Sequence, residues 1–137
     1  MFSDNLVKVK ALPTSGPDDA QRRLFSPKGE MAQILNDTMS VRHLVYWDLN
    51  SDEAGAMRGN HYHRLKTEQY YILKGKLDLL LLDPETGERA VRPVNAGDRI
   101  TVAPGVAHAF RSRGYAQVLE FSPDPYDASD TVPCPAE

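Results

Sequence analysis

Residues 55–75 read GAMRGNHYHRLKTEQYYILKG, and the order of residue types in this stretch decides the fold. His61 and His63 are separated by one residue, so a strand, with its period of two, points both imidazoles into one space. After a gap long enough for a short bend, Glu68 opens the run EQYYIL, which has the aromatic and β-branched content of a second strand. A hairpin of this kind brings a carboxylate beside two imidazoles.

A fourth candidate, His108, ends the Gly- and Pro-marked approach AGDRITVAPGVAH. Three imidazoles and one carboxylate leave positions open on an octahedral ion, and open positions are what metal-assisted chemistry needs. The mixed nitrogen and oxygen donors of His61, His63, Glu68 and His108 suit one divalent metal ion, Fe, Mn, Ni, Co or Zn, without choosing among them. A histidine on an apolar strand is more often structural, and the alternative here is a metal-free polar pocket.

The remainder of the chain reads as strands. The segment Asn5 to Leu12 alternates imperfectly and ends at Pro13; it suits an edge strand that pairs with another subunit in a homodimer. PTSGPDDA at 13–20 is loop chemistry, and SPKGEMAQIL at 26–35 places Pro and Gly before a short strand. In VRHLVYWDL at 41–49, one face carries Val41, His43, Val45, Trp47 and Leu49. KLDLLLLD, the turn Pro84-Glu85-Thr86-Gly87, a return strand over 88–94, the turn NAGD, and strands over 99–102, 108–112 and 116–121 follow in close succession. Short strands at this spacing, with no helical period, indicate an all-β sandwich or barrel. The expected organisation is a single domain over 1–137: a strand-and-loop arm at 1–30, a barrel at 31–122 and an acidic, Pro-rich tail at 123–137.

Composition narrows the partners. Hydrophobic residues are 41% and charged residues 26% of the 137, an ordinary globular balance, and the longest apolar run is only Leu79 to Leu82. A net charge of −3 without a basic block argues against nucleic acid. The start, MFSDNLVKVK, lacks the pattern of a secretion signal, so a cytoplasmic location and no membrane contact are expected. Cys134 is the single cysteine, has no activating histidine beside it in sequence, and reads as an incidental exposed thiol.

Residues 55–112 resemble the cupin family. Gly55, His61, His63, Glu68 and Gly75 match every position of that family's first motif. Gly97, Gly105 and His108 fall at the spacing of the second, with Ala103 where proline is usual, Pro104 one place later, and Ser112 where asparagine is common. The resemblance implies a cupin-type double-stranded β-helix, or jelly-roll, barrel that holds a metal on His61, His63, Glu68 and His108. The four motif glycines read as backbone bends rather than substrate contacts.

RGNHYHRLKTEQYYILKG, SPKGEMAQIL and PYDASD are also similar to cupins of nucleotide-sugar and surface-polysaccharide biosynthesis, which include keto-sugar isomerases and epimerases. That narrower likeness implies a nucleotide-linked keto-sugar substrate and metal-assisted proton abstraction, although such ketoisomerases often lack the complete ligand set kept here. Glu120, Tyr126 and His43 are candidates for the base, and His43 has the alternative of a strand histidine. Arg58, Tyr62, Arg64 and Lys66 surround the histidine pair and either steer an anionic substrate or are simply solvated. Tyr70 and Ile72 share the parity of Glu68, and Phe110 that of His108; each suits substrate contact or barrel packing. A non-haem Fe(II) dioxygenase of a small organic acid or thiol, and a non-catalytic sugar-binding module, are the competing readings.

Overall fold

A computed structural model describes residues 2–50 and 56–137; Gly55 of the first motif lies outside the described residues. The chain folds into strands β1 (Val7–Ala11), β2 (Arg22–Ser26), β3 (Gly29–Gln33), β4 (His43–Leu49), β5 (Met57–His63), β6 (Glu68–Lys74) and β7 (Lys76–Leu82), followed by β8 (Arg89–Asn95), β9 (Asp98–Val102), β10 (Ala107–Ser112), β11 (Ala116–Ser122) and β12 (Thr131–Pro133). Two antiparallel five-stranded sheets result, in the orders β1-β9-β6-β11-β4 and β12-β5-β10-β7-β8, with β2 and β3 as a separate hairpin. This is the expected jelly roll.

The main core lies between the sheets. Val7, Trp47, Ile72, Ile100, Val102 and Val118 of the first sheet are buried against Leu77, Leu79, Leu81, Val94 and Phe110 of the second. Each such side chain contributes roughly 1.5–3 kcal/mol by leaving water. The run KLDLLLL is apolar on both faces because β7 is covered twice. Leu77, Leu79 and Leu81 point inward, and Leu80 and Leu82 pack outward with Ala107, Ala109 and Ala136. Among the described residues, no helix is long and apolar enough to cross a membrane.

Both termini join the sheets. β1, within the edge strand expected over Asn5 to Leu12, pairs with β9 and forms an edge of the first sheet. β2, which the sequence reading missed, pairs with β3, and the segment that follows packs Ile34, Leu35 and Met39 on Tyr71, Phe121 and Leu119 over the outer face of the first sheet. Arg99 anchors this arm by donating to Gln21 Oε1 at 2.6 Å and to the Ile34 carbonyl at 3.0 Å.

The acidic, Pro-rich tail makes a 3-10 turn, Ala128–Asp130, and adds β12 to the edge of β5. Cys134 is half-buried against the outer cluster, which corrects its reading as an exposed thiol. A tail lacking a core period still finds a place here because the open β5 edge supplies main-chain partners.

Gly75 is required at the β6–β7 turn. Its φ is 87°, and a Cβ there would lie 2.2 Å from the Tyr115 carbonyl oxygen.

Candidate functional site

β5 carries His61 and His63, and β10, its neighbour, carries His108 directly opposite His61. A bulge adjoins this pair: His108 opposes His61, but Ala109 opposes Gly59, so Asn60 is the extra residue. Asn60 sits at φ 60°, and its side chain accepts from the Ala136 amide at 3.1 Å while its carbonyl accepts from the Cys134 amide at 2.8 Å. Gly59 fits because a Cβ would stand 2.7 Å from the His108 carbonyl oxygen. The bulge reverses the alternation of β5, so Arg58 faces inward with His61 while Met57 and Tyr62 face the outer cluster.

The ring nitrogens of His61, His63 and His108 lie within 4.8 Å of one another. His108 is 1% exposed, and its Nδ1 is 3.0 Å from the Val106 carbonyl oxygen. A carbonyl only accepts, so Nδ1 carries the proton and Nε2 the lone pair, and the Tyr70 hydroxyl donates to Nε2 at 3.0 Å. Burial, with His61 and His63 adding to it, pushes His108 down to about 4, and burial lowers His61 in the same direction. Both rings are neutral at pH 7, the form that ligates metals.

Glu68 is fully buried, with Oε1 2.7 Å from His63 Nε2 and 3.4 Å from Lys66 Nζ. Burial works to raise its carboxyl, but the contact with His63 and the Lys66 ammonium outweigh it and hold Glu68 below its ordinary value. The 2.7 Å contact is not aligned as a hydrogen bond, so His63 Nε2 and Glu68 Oε2 are buried atoms without a hydrogen-bond partner. A cation seated beside these two buried atoms would give both a partner. A divalent metal fits this donor set; it would take Nε2 of His108 from the Tyr70 hydroxyl and share Glu68 with Lys66.

His61 and His108 open on a cavity of about 180 Å³. Trp47, Tyr70 and Phe110 form its aromatic wall, with ring centroids 5.3 Å apart for Trp47–Phe110 and 4.8 Å for Tyr70–Phe110. Arg58 stands 5.7 Å above the Trp47 ring, held by the Asp48 carbonyl at 3.0 Å. Glu120 of β11 reaches the same cavity and accepts from Trp47 Nε1 at 3.2 Å. Burial and the charge of Glu68 raise the Glu120 carboxyl to about 7. Tyr70, buried and near both carboxylates, is held well above the usual tyrosine range and stays protonated.

The remaining candidates lie elsewhere. Tyr62 packs on the outer cluster, Arg64 is exposed at the turn after β5, and Ile72 is sealed in the core, so none of the three lines the cavity. Lys66 is not solvated; it is 5% exposed and faces Glu68. His43 and Tyr126 face each other at 6.0 Å outside the cavity lining, Tyr126 being 65% exposed beside a groove along the tail. A larger groove on the outer face, between β1, β9 and the arm, gathers no histidines.

Asp130 is a residue the sequence reading missed. Its carboxylate is buried and accepts the amides of Arg64, Leu65 and Lys66 at 3.0, 2.8 and 3.1 Å, clamping the turn that joins His63 to Glu68. Nothing local marks it, since its partners are more than sixty positions away. Asp130→Ala leaves three amides of this turn without their acceptor, and is expected to lower stability by roughly 1–3 kcal/mol and to weaken metal binding about tenfold. Chemical denaturation and calorimetric metal titration of the same variant check the two effects together.

Residues 20–124 match the cupin family model. This chain is a member of the cupin family. No curated protein sequence matches it. Among solved structures, this cupin is similar in fold to a sugar 3,4-ketoisomerase from Thermoanaerobacterium thermosaccharolyticum in complex with TDP, at 16% identity over 92% of this chain and 86% of that one, with a TM-score of 0.72. A point mutant of that enzyme, solved in complex with TDP-4-keto-6-deoxyglucose, aligns over the same shares at 15% identity and a TM-score of 0.72. A dTDP-4-dehydrorhamnose 3,5-epimerase from Sulfolobus tokodaii aligns over 80% of this cupin and 71% of its own chain at 17% identity, with a TM-score of 0.67.

Proposed function

We propose that this cupin is an isomerase or epimerase of a nucleotide-linked keto-sugar, with Glu120 as the base. The observation that carries the reading is a carboxyl titrating near 7 inside a cavity it shares with His61, His108 and Tyr70. A base matched to neutral pH takes a proton efficiently and returns it. The fold likeness to ketoisomerases and epimerases of TDP-linked sugars supports the substrate class.

At about 180 Å³ the cavity is smaller than the roughly 300–1,000 Å³ that encloses a drug-sized ligand, so it takes one sugar ring and leaves the nucleotide outside. The aromatic wall packs against the ring's apolar face, and Arg58 at the cavity wall meets the diphosphate. Glu120 removes the proton from the carbon beside the carbonyl. Tyr70, kept protonated by burial, donates a hydrogen bond to the oxygen on which charge develops. A metal held by His61, His63, His108 and Glu68 would supply Lewis-acid stabilisation of the same oxygen.

The test is incubation with TDP-4-keto-6-deoxyglucose in deuterated water, followed by proton NMR. Loss of the signal next to the carbonyl, with or without an isomerised product, is the expected result. Inertness toward nucleotide-linked keto-sugars, with oxygen uptake by the Fe(II)-loaded protein on small acids or thiols, would replace this reading by dioxygenation.

A further inference from the structure

Lys66 is a buried charge that the proposed reaction leaves without a task. It sits in the turn between β5 and β6, 5% exposed, with its ammonium 3.4 Å from Glu68 Oε1, the oxygen that is also 2.7 Å from His63 Nε2. An ammonium this deeply buried is tolerated only beside an opposite charge. Lys66 also lines a groove of about 510 Å³, together with Asp124, Asp127 and Asp130 of the tail. Asp130 is committed to the amides of the ligand turn, and Asp127 accepts from the amide and hydroxyl of Ser129. Asp124 is exposed, and among the described residues its carboxylate has no hydrogen-bond or ion-pair partner.

We propose that Lys66 is an internal competitor of the divalent ion: a metal arriving on Glu68 displaces the ammonium into the groove, where Asp124 receives it. The displacement rests on Glu68 acting as a metal ligand. A divalent ion on that carboxylate would stand close to the ammonium, so the two cations repel, and the single negative charge of Glu68 attracts the doubly charged one more strongly. Lys66 then becomes a buried charge without a counter-ion, and that cost drives it out. The backbone need not move. Asp130 holds the Lys66 amide at 3.1 Å, while the flexible stem of the side chain carries the ammonium from one set of surroundings to the other. Metal affinity is thereby set below what three imidazoles and a carboxylate would give alone, and occupancy of the barrel is coupled to the tail that bears Asp124.

Calorimetric titration with Ni(II) of the native chain, Lys66→Met, Asp124→Asn and the double variant tests the displacement. Lys66→Met should bind Ni(II) roughly tenfold more tightly than the native chain. In EDTA the same variant should melt at least about 5 °C lower, because the buried Glu68 has lost its counter-ion. A lysine that only supported the turn would lower both quantities. Asp124→Asn, a change at an exposed position that the fold accepts, should weaken Ni(II) binding several-fold in the native chain and have no effect in the Lys66→Met background. Equal or weaker Ni(II) binding by Lys66→Met, or an Asp124→Asn effect that is absent from the native chain or the same in both backgrounds, would overturn the competition while leaving Glu68 a ligand. Failure of both the native chain and Lys66→Met to bind Ni(II) would overturn it and the ligand assignment together.

Discussion

Replacing His61 and His108 together by alanine is expected to abolish stoichiometric binding of divalent metal, with affinity falling by more than about a hundredfold. Single changes to the groups that merely orient ligands cost roughly ten- to a hundredfold, and this variant removes two donors from a set of three imidazoles and one carboxylate. His63 and Glu68 alone cannot hold the ion against Lys66, whose ammonium already contacts the same carboxylate oxygen. The change also deprives the Tyr70 hydroxyl of its acceptor, so a loss of roughly 1–3 kcal/mol in stability should accompany it. Isothermal calorimetry with Zn, Ni and Co, alongside thermal melts of the metal-free proteins, separates the two effects. Equal metal content in native and variant protein would refute the assignment of these histidines.

Glu120→Gln should lower kcat by roughly 10² to 10⁴ while leaving the fold intact. Under the proposed reaction, the native protein's rate should rise with pH through about 7, because the base works only when ionised, and the residual rate of the variant should lose that rise. Stability runs the other way. The Glu120 carboxyl titrates near 7 when folded and near 4.5 when unfolded, so over that interval the folded state holds the proton that the unfolded state has released. Glu120's contribution therefore falls as pH rises from about 4.5 to about 7, by up to about 3 kcal/mol, and Glu120→Gln should abolish this component. Urea melts of the metal-free proteins at both ends of the window check the sign. A kcat for Glu120→Gln within a few-fold of native would exclude Glu120 as the base.

Much of the site was legible because its signals are local. His-x-His on a strand has one geometric outcome, and Glu68 follows within a single bend. The parity argument fails only where the backbone breaks its own period. Arg58 and His61 would face opposite ways on a regular strand, yet the Asn60 bulge turns Arg58 into the cavity. Tyr62 was a poor candidate for the same elementary reason, since it alternates with the two histidines. Ile72 shares the parity of Tyr70 but sits deeper, and depth along a strand is not encoded in alternation.

By itself, then, the sequence determined the class of fold and three converging imidazoles, because alternation, turn residues and motif spacing act over a few positions. Tertiary structure decided which carboxylate titrates near neutrality, that Lys66 is an internal counter-ion to Glu68, and that Asp130 closes the ligand turn from the far end of the chain. Those outcomes depend on burial and on contacts between segments more than sixty residues apart, and no short window of sequence records either.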